Sequence, residues 1–152
     1  MRLRLGLYDE EPSDGVLIQN LLSLMQQSAS DYNNFFRHLS EQPAEAALVH
    51  LRDGFIDLKG FDAWSRDYLK RCNNDARNEN KRQAQMQAVN PKYILRNYLA
   101  QQAISAAEQG DYQPLNELFN LLSRPFEQQP GKAHYATRPP DWGRHLSISC
   151  SS

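Results

Sequence analysis

Two cysteines, four histidines and one run with a histidine, an arginine and an aspartate are the groups in this 152-residue chain that could do chemistry. Cys150 lies two residues from the end, in Ser149-Cys150-Ser151-Ser152, where a thiol can be reached. Exposure and thiolate character make a cysteine reactive, so Cys150 reads either as an incidental terminal thiol or as one open to redox exchange. Cys72 has the opposite setting. It falls in register with Phe61, Trp64, Tyr68 and Leu69 at helical spacing, which predicts an inert core cysteine. His38, His50, His134 and His145 never stand three to five residues apart, and neither cysteine has a ligand neighbour, so no metal site is expected.

The run His50-Leu51-Arg52-Asp53-Gly54-Phe55 superficially matches a phosphoryl-transfer loop, which sets a base Asp after His-Arg and a metal-holding Asn five residues beyond it. Here Leu51 splits the pair and position 58 is Leu, so a helix end closed by Gly54 is the better reading. The glycines at 6, 15, 54, 60, 110, 131 and 143 never cluster into a loop that could cradle a triphosphate. Glu10-Glu11 is a solvated charge pair, and no serine or cysteine has an identifiable base. The expectation is therefore no catalytic residue, no cofactor-binding residue and no metal ligand in this chain.

Charge and hydropathy narrow the partners. With 17 Lys+Arg against 18 Asp+Glu there is no large positive field, which argues against nucleic acid. No stretch approaches about 18 consecutive apolar residues, and the start Met1-Arg2-Leu3-Arg4-Leu5-Gly6-Leu7 is too short and too charged for a signal segment. The chain reads as soluble, unexported and free of membrane. The two cysteines form no disulfide framework and suit a reducing, cytoplasmic compartment.

The elements that must position these groups read as all-α: an irregular bundle of six to seven helices followed by an extended, Pro-rich arm. Ser13 or Asp14 can cap a helix with Leu17, Leu21, Leu24 and Met25 on one stripe, ending near Ser28. Asp31 can cap a second with Tyr32, Phe35, Phe36 and Leu39, and Pro43 suits the first turn of a third running to about Arg52. Gly54 and Gly60 should bracket a connector, with a fourth helix beginning near Phe61. Positions 73–87 are polar with hardly an apolar anchor, which leaves a solvated helix and a mobile link both open. Asn90-Pro91 predicts a helix start, since proline at the first helical position loses no hydrogen bond. That helix should stop at Gly110, and Asp111 should cap the next, whose packing face is Tyr112, Leu115, Leu118, Phe119 and Leu122; the two should form an antiparallel hairpin. Two regions are expected: a helical one over 1–123, and an irregular arm over 124–152 with Phe126, Tyr135 and Trp142 as anchors.

Further residues carry a resemblance. Asn90-Pro91-Lys92-Tyr93-Ile94-Leu95-Arg96-Asn97-Tyr98-Leu99-Ala100-Gln101, then Ala103-Ile104, Ala107 and Gly110-Asp111, closely resembles the C-terminal signature of the selenoprotein O family. Arg124-Pro125-Phe126, Gln129-Pro130, Tyr135-Ala136, Pro139-Pro140-Asp141-Trp142 and Ser149-Cys150-Ser151-Ser152 resemble its tail in order and spacing. Looser matches at Leu5-Gly6-Leu7, Asp31-Tyr32, Phe35-Phe36-Arg37 and Trp64 extend the likeness over essentially the whole chain.

The resemblance implies a parent enzyme of pseudokinase fold, a protein adenylyltransferase that binds ATP with Mg2+ or Mn2+ and transfers AMP to Ser, Thr or Tyr of target proteins. It also implies that the nucleotide site lies in a preceding kinase-like region, which would be this chain's main partner, and that this piece alone is inactive. Cys150 matches the position that eukaryotic, mitochondrial relatives fill with selenocysteine; there it pairs with a cysteine of the kinase-like region and couples redox state to activity. Apolar faces meant for that region would let the isolated piece form a homodimer. The rival expectation is an independent helical interaction module, although no repeat period of about 34 to 47 residues is visible.

Overall fold

Local signals set most of the helix boundaries. In the computed structural model, which describes residues 1–75, 78–144 and 146, there are seven α-helices and short 3-10 turns, with no strand among the described residues. The helices are α1 (Asp14–Gln27), α2 (Tyr32–Glu41), α3 (Ala44–Leu51), α4 (Leu58–Asn73), α5 (Glu79–Val89), α6 (Asn97–Glu108) and α7 (Gln113–Leu122). The all-α reading holds. Three starts carry side-chain caps in which an Asx oxygen accepts a backbone N–H: Asp31 from Asn34, Asp57 from Gly60 and Asn78 from Lys81. Each satisfies a donor the first turn would otherwise leave orphaned, worth typically about 1 kcal/mol.

The chain folds as two compact units, Met1–Pro91 and Lys92–Ser152. The first holds α1 to α5 around a core of Leu5, Leu7, Leu21, Phe36, Leu39, Phe61, Tyr68 and Met86, all essentially buried. An aromatic chain runs through it. Phe35 meets Phe36 and Phe55 edge-on, Phe55 stacks on Phe61 at 4.3 Å, and Trp64 stacks on Tyr68 at 5.1 Å. The predicted stripe of α1 is buried as expected, and Trp64 Nε1 donates to the Leu17 carbonyl at 3.0 Å. Gly6 turns the chain at φ 71°, and a Cβ there would stand 2.7 Å from Arg82 Cγ and Met86 Sδ, so α5 seats directly on its backbone.

The second unit has a smaller core of Tyr93, Tyr98, Leu99, Ala103, Leu118 and Leu121. α6 ends at Gly110, whose φ of 85° lets Asp111 N–H donate to the Ala106 carbonyl at 2.9 Å and Gly110 N–H to that of Ala107 at 3.0 Å. α7 then opens, with Asp111 Oδ1 accepting from Gln113 N–H at 2.9 Å, and packs with α6. Beyond Leu122 the described residues hold only the 3-10 turns Ala133–Ala136 and Asp141–Gly143, consistent with an irregular arm. Of its expected anchors, Tyr135 packs partly buried against the core and Trp142 lies edge-on to Tyr98 at 5.9 Å, while Phe126 is largely exposed.

Two boundaries differ from expectation. The helix predicted from Pro91 begins only at Asn97, because the amides of Lys92 and Tyr93 both donate to the Pro125 carbonyl, at 2.8 and 3.1 Å, and hold the strand-like entry open. α4 begins at Leu58 rather than Phe61, so Gly60 is inside its first turn. A side chain at Gly60 would run into the capping Asp57 carboxylate, which explains the glycine without a connector. Most of the polar segment is helix, α5.

Candidate functional site

The redox candidate Cys150 lies outside the described residues, as does His145. The other candidates are scattered. His38 and His50 are exposed on α2 and α3, and His134 rests against the Tyr135 ring at 4.2 Å. Arg52, from the loop-like run, forks onto Asp62 of α4 through Nε–Oδ1 at 2.7 Å and Nη2–Oδ2 at 2.9 Å. That hydrogen-bonded pair holds the Asp62 carboxyl below its ordinary range and Arg52 above its own, so Arg52 ties α3's end to α4. Asp53 is exposed.

Chemically unusual groups do converge on α4 and α5. Arg82 of α5 is 4% exposed, yet its guanidinium is matched on every side. Nε reaches Glu79 Oε2 at 2.9 Å, Nη2 bonds Glu79 Oε1, and Nη1 donates to Tyr68 Oη at 2.9 Å and to Met86 Sδ at 2.8 Å. Tyr68 Oη in turn donates to the Leu5 carbonyl at 2.8 Å. Cys72, one turn further along α4, is half-buried beside this cluster and lines a groove of about 320 Å³ with Glu45, Leu69, Asp75 and Glu79.

Burial raises the Cys72 thiol above its ordinary value, and the Tyr68 hydrogen bond and Arg82 charge offset this only in part. That disfavours the thiolate, and the side chain read from sequence as a core cysteine packs half-buried against the core. Burial likewise drives Tyr68 well up, whereas for Glu79 the hydrogen bonds from Arg82 and Gln83 overcome burial and bring the carboxyl down. The polar segment hid this arrangement. Glu79, Arg82 and Met86 stand at helical spacings of three and four, the one signal that an inward face existed.

A second buried ion pair joins the first residue of α1 to α4. Arg71 Nε meets Asp14 Oδ1 at 2.7 Å, and Nη2 donates to the Asp9 carbonyl at 2.6 Å. Burial pushes the Asp14 carboxyl up, but the Arg71 hydrogen bond and charge prevail and keep it below its usual range.

A nucleotide with Mg2+ needs clustered N–H donors, a free cation and free carboxylates. Asp14, Asp62 and Glu79 are each paired with an arginine, and the left-handed glycines Gly6, Gly110 and Gly131 are isolated in sequence. No three His, Cys, Asp or Glu among the described residues could hold a metal ion together. No described helix is long and apolar enough to cross a membrane.

The fold is all-α, with buried charges paired in its clusters. Comparison with known proteins supplies the lineage. Residues 1–123 match the model of the family described as protein adenylyltransferase SelO. The whole chain is 61% identical to a protein nucleotidyltransferase YdiU of Stutzerimonas stutzeri, 60% to one of Ectopseudomonas mendocina and 61% to one of Azotobacter vinelandii. In each case 100% of this chain is covered but 31% of the relative, so the chain spans about a third of the length of these curated relatives. The chain belongs to the SelO family, as its Asn90–Gln101 signature and tail suggested.

Proposed function

We propose that this chain is the C-terminal helical region of a protein adenylyltransferase, a packing and regulatory part of an enzyme whose ATP, Mg2+ and catalytic groups reside in a kinase-like region outside these 152 residues. One observation carries the reading: identity of about 60% runs through the entire chain into nucleotidyltransferases three times as long, while its described carboxylates in buried clusters are already spent on arginines. In this reading the parent transfers AMP from ATP to Ser, Thr or Tyr of other proteins in the cytoplasm. Cys150 is its redox thiol, exchanging with a cysteine of the kinase-like region. For such a two-electron couple a change of about 30 mV moves the balance tenfold.

The test offers the purified chain ATP, Mg2+ and acceptor proteins. No labelled AMP should be transferred, and transfer by this chain alone would overturn the assignment. With the kinase-like region restored, transfer should appear and respond to oxidising against reducing buffer. Cys150→Ser should remove that response; an unchanged response would end the redox role.

A further inference from the structure

The strongest unexplained feature is the outer side of α7. Successive residues of a helix turn by about 100°. On α7 the buried Leu118 and Leu121 and the half-buried Leu122 take one side, where they pack with Leu99 and Ala103 of α6. Leu115 and Phe119 follow further round the helix, with Tyr112 at its opening, and all three are exposed: Phe119 is 72% exposed, Tyr112 58% and Leu115 46%. The apolar arc of α7 is thus wider than the part its own unit covers.

Its border is uncharged. Asn116, Asn120 and Ser123 flank the stripe, and the one charged residue of Gln113–Leu122, Glu117, points to the other side, where Lys132 and Tyr135 hold it at 3.1 and 3.0 Å. Depletion of charge around large apolar side chains marks the centre of a protein interface. A lipid surface would call for basic residues beside the stripe, and α7 has none.

We infer that Tyr112, Leu115 and Phe119 of α7 form the seat for the remaining two thirds of the polypeptide found in the relatives. The inference rests on the function proposed above. Its occupant follows from chain length: this sequence is 61% identical end to end to a protein of which it makes up only 31%, so these faces belong to a setting with more than twice as much additional chain beside them. A unit of roughly 60 residues is marginal on its own buried surface, and a docked neighbour over the stripe would add to its six-residue core.

The experiment compares the full 152-residue chain with the same residues grafted in place of the matching part of the Stutzerimonas stutzeri relative. Phe119→Cys and, separately, Leu115→Cys are introduced in both, with Gln113→Cys on the opposite side of α7 as control. Maleimide labelling of the α7 peptide is followed by mass spectrometry. In the isolated chain both stripe positions should label freely; in the graft they should label slower by on the order of a hundredfold, with Gln113→Cys labelling equally in both. Equal rates at 119 and 115 in the two proteins would overturn the inference. So would protection that appears in the isolated chain with rising concentration and not in the graft, since the occupant would then be a second copy. AMP transfer by the graft with native α7 is read in parallel. Transfer with a freely labelled stripe sinks the docking seat and leaves the function standing, whereas a protected stripe without transfer does the reverse.

Discussion

The two units close their interiors by different means. Met1–Pro91 buries Asp14, Arg37, Ser40, Arg71, Arg82 and Asn90 among its aromatics, whereas the second unit buries no comparable polar side chain among the described residues and relies on six apolar ones. In the first, charge is spent inside. Arg37 spans Glu41 and the Asn90 carbonyl and Arg71 spans Asp14 and Asp9, fastening elements far apart in sequence, while Arg82 spans Glu79 and Tyr68 and ties α5 to the preceding α4. In the second, the ion pair of Glu117 with Lys132 is half-exposed. The contrast teaches where each unit is vulnerable: the first to loss of one buried partner, the second to loss of one of its few buried apolar side chains.

The largest effect should come from the first core. Phe36→Ala removes a fully buried ring that meets Phe35 and Tyr32 edge-on, and should cost about 3–5 kcal/mol in denaturant unfolding. Asp14→Ala should cost about 3 kcal/mol, mostly because the buried Arg71 loses its main counter-ion; a loss under 1 kcal/mol would show that water or Glu11 replaces it. In the second unit Leu121→Ala should cost about 2–3 kcal/mol, while Phe119→Ala in the isolated chain should stay within about 0.5 kcal/mol, because that ring already faces solvent. If the two cost the same, α7 has been assigned the wrong face.

Acid and base should also act on the buried polar groups of the first unit. Asp14 and Glu79 have lowered folded-state values, so each adds stability that is complete above its unfolded value, near 3.8 and 4.5, and is lost as pH falls through the folded one. Tyr68 and Cys72 are raised, so their contribution is complete below the unfolded values, 10.0 and 9.0, and fades as pH climbs past them. Hydrogen exchange by peptide should therefore show the α4 and α5 segments loosening below about pH 4 and above about pH 9.

The smallest effect compares two helix ends. α6 closes on Gly110 at φ 85°, but α1 closes on Ala29 at φ 46°, where a Cβ is strained. Gly110→Ala should cost about 1 kcal/mol and Ala29→Gly should gain a few tenths, read as opposite shifts in Tm.

Sequence alone determined the local features, because they depend on neighbours three or four residues away. The α1 stripe, the Asp31 cap, the Gly110 stop, the irregular stretch after Leu122 and the family signature are all of that kind. Only tertiary structure decided what distant partners settle. Pro91 does not open a helix, since Pro125 takes the amides of Lys92 and Tyr93; the polar run at 79–89 becomes a helix with Arg82 inward, since Tyr68 lies 14 positions away waiting to accept its N–H. A buried cation becomes tolerable only when its counter-charge and acceptors are in place around it, and no pattern within one helix can state that those partners will arrive.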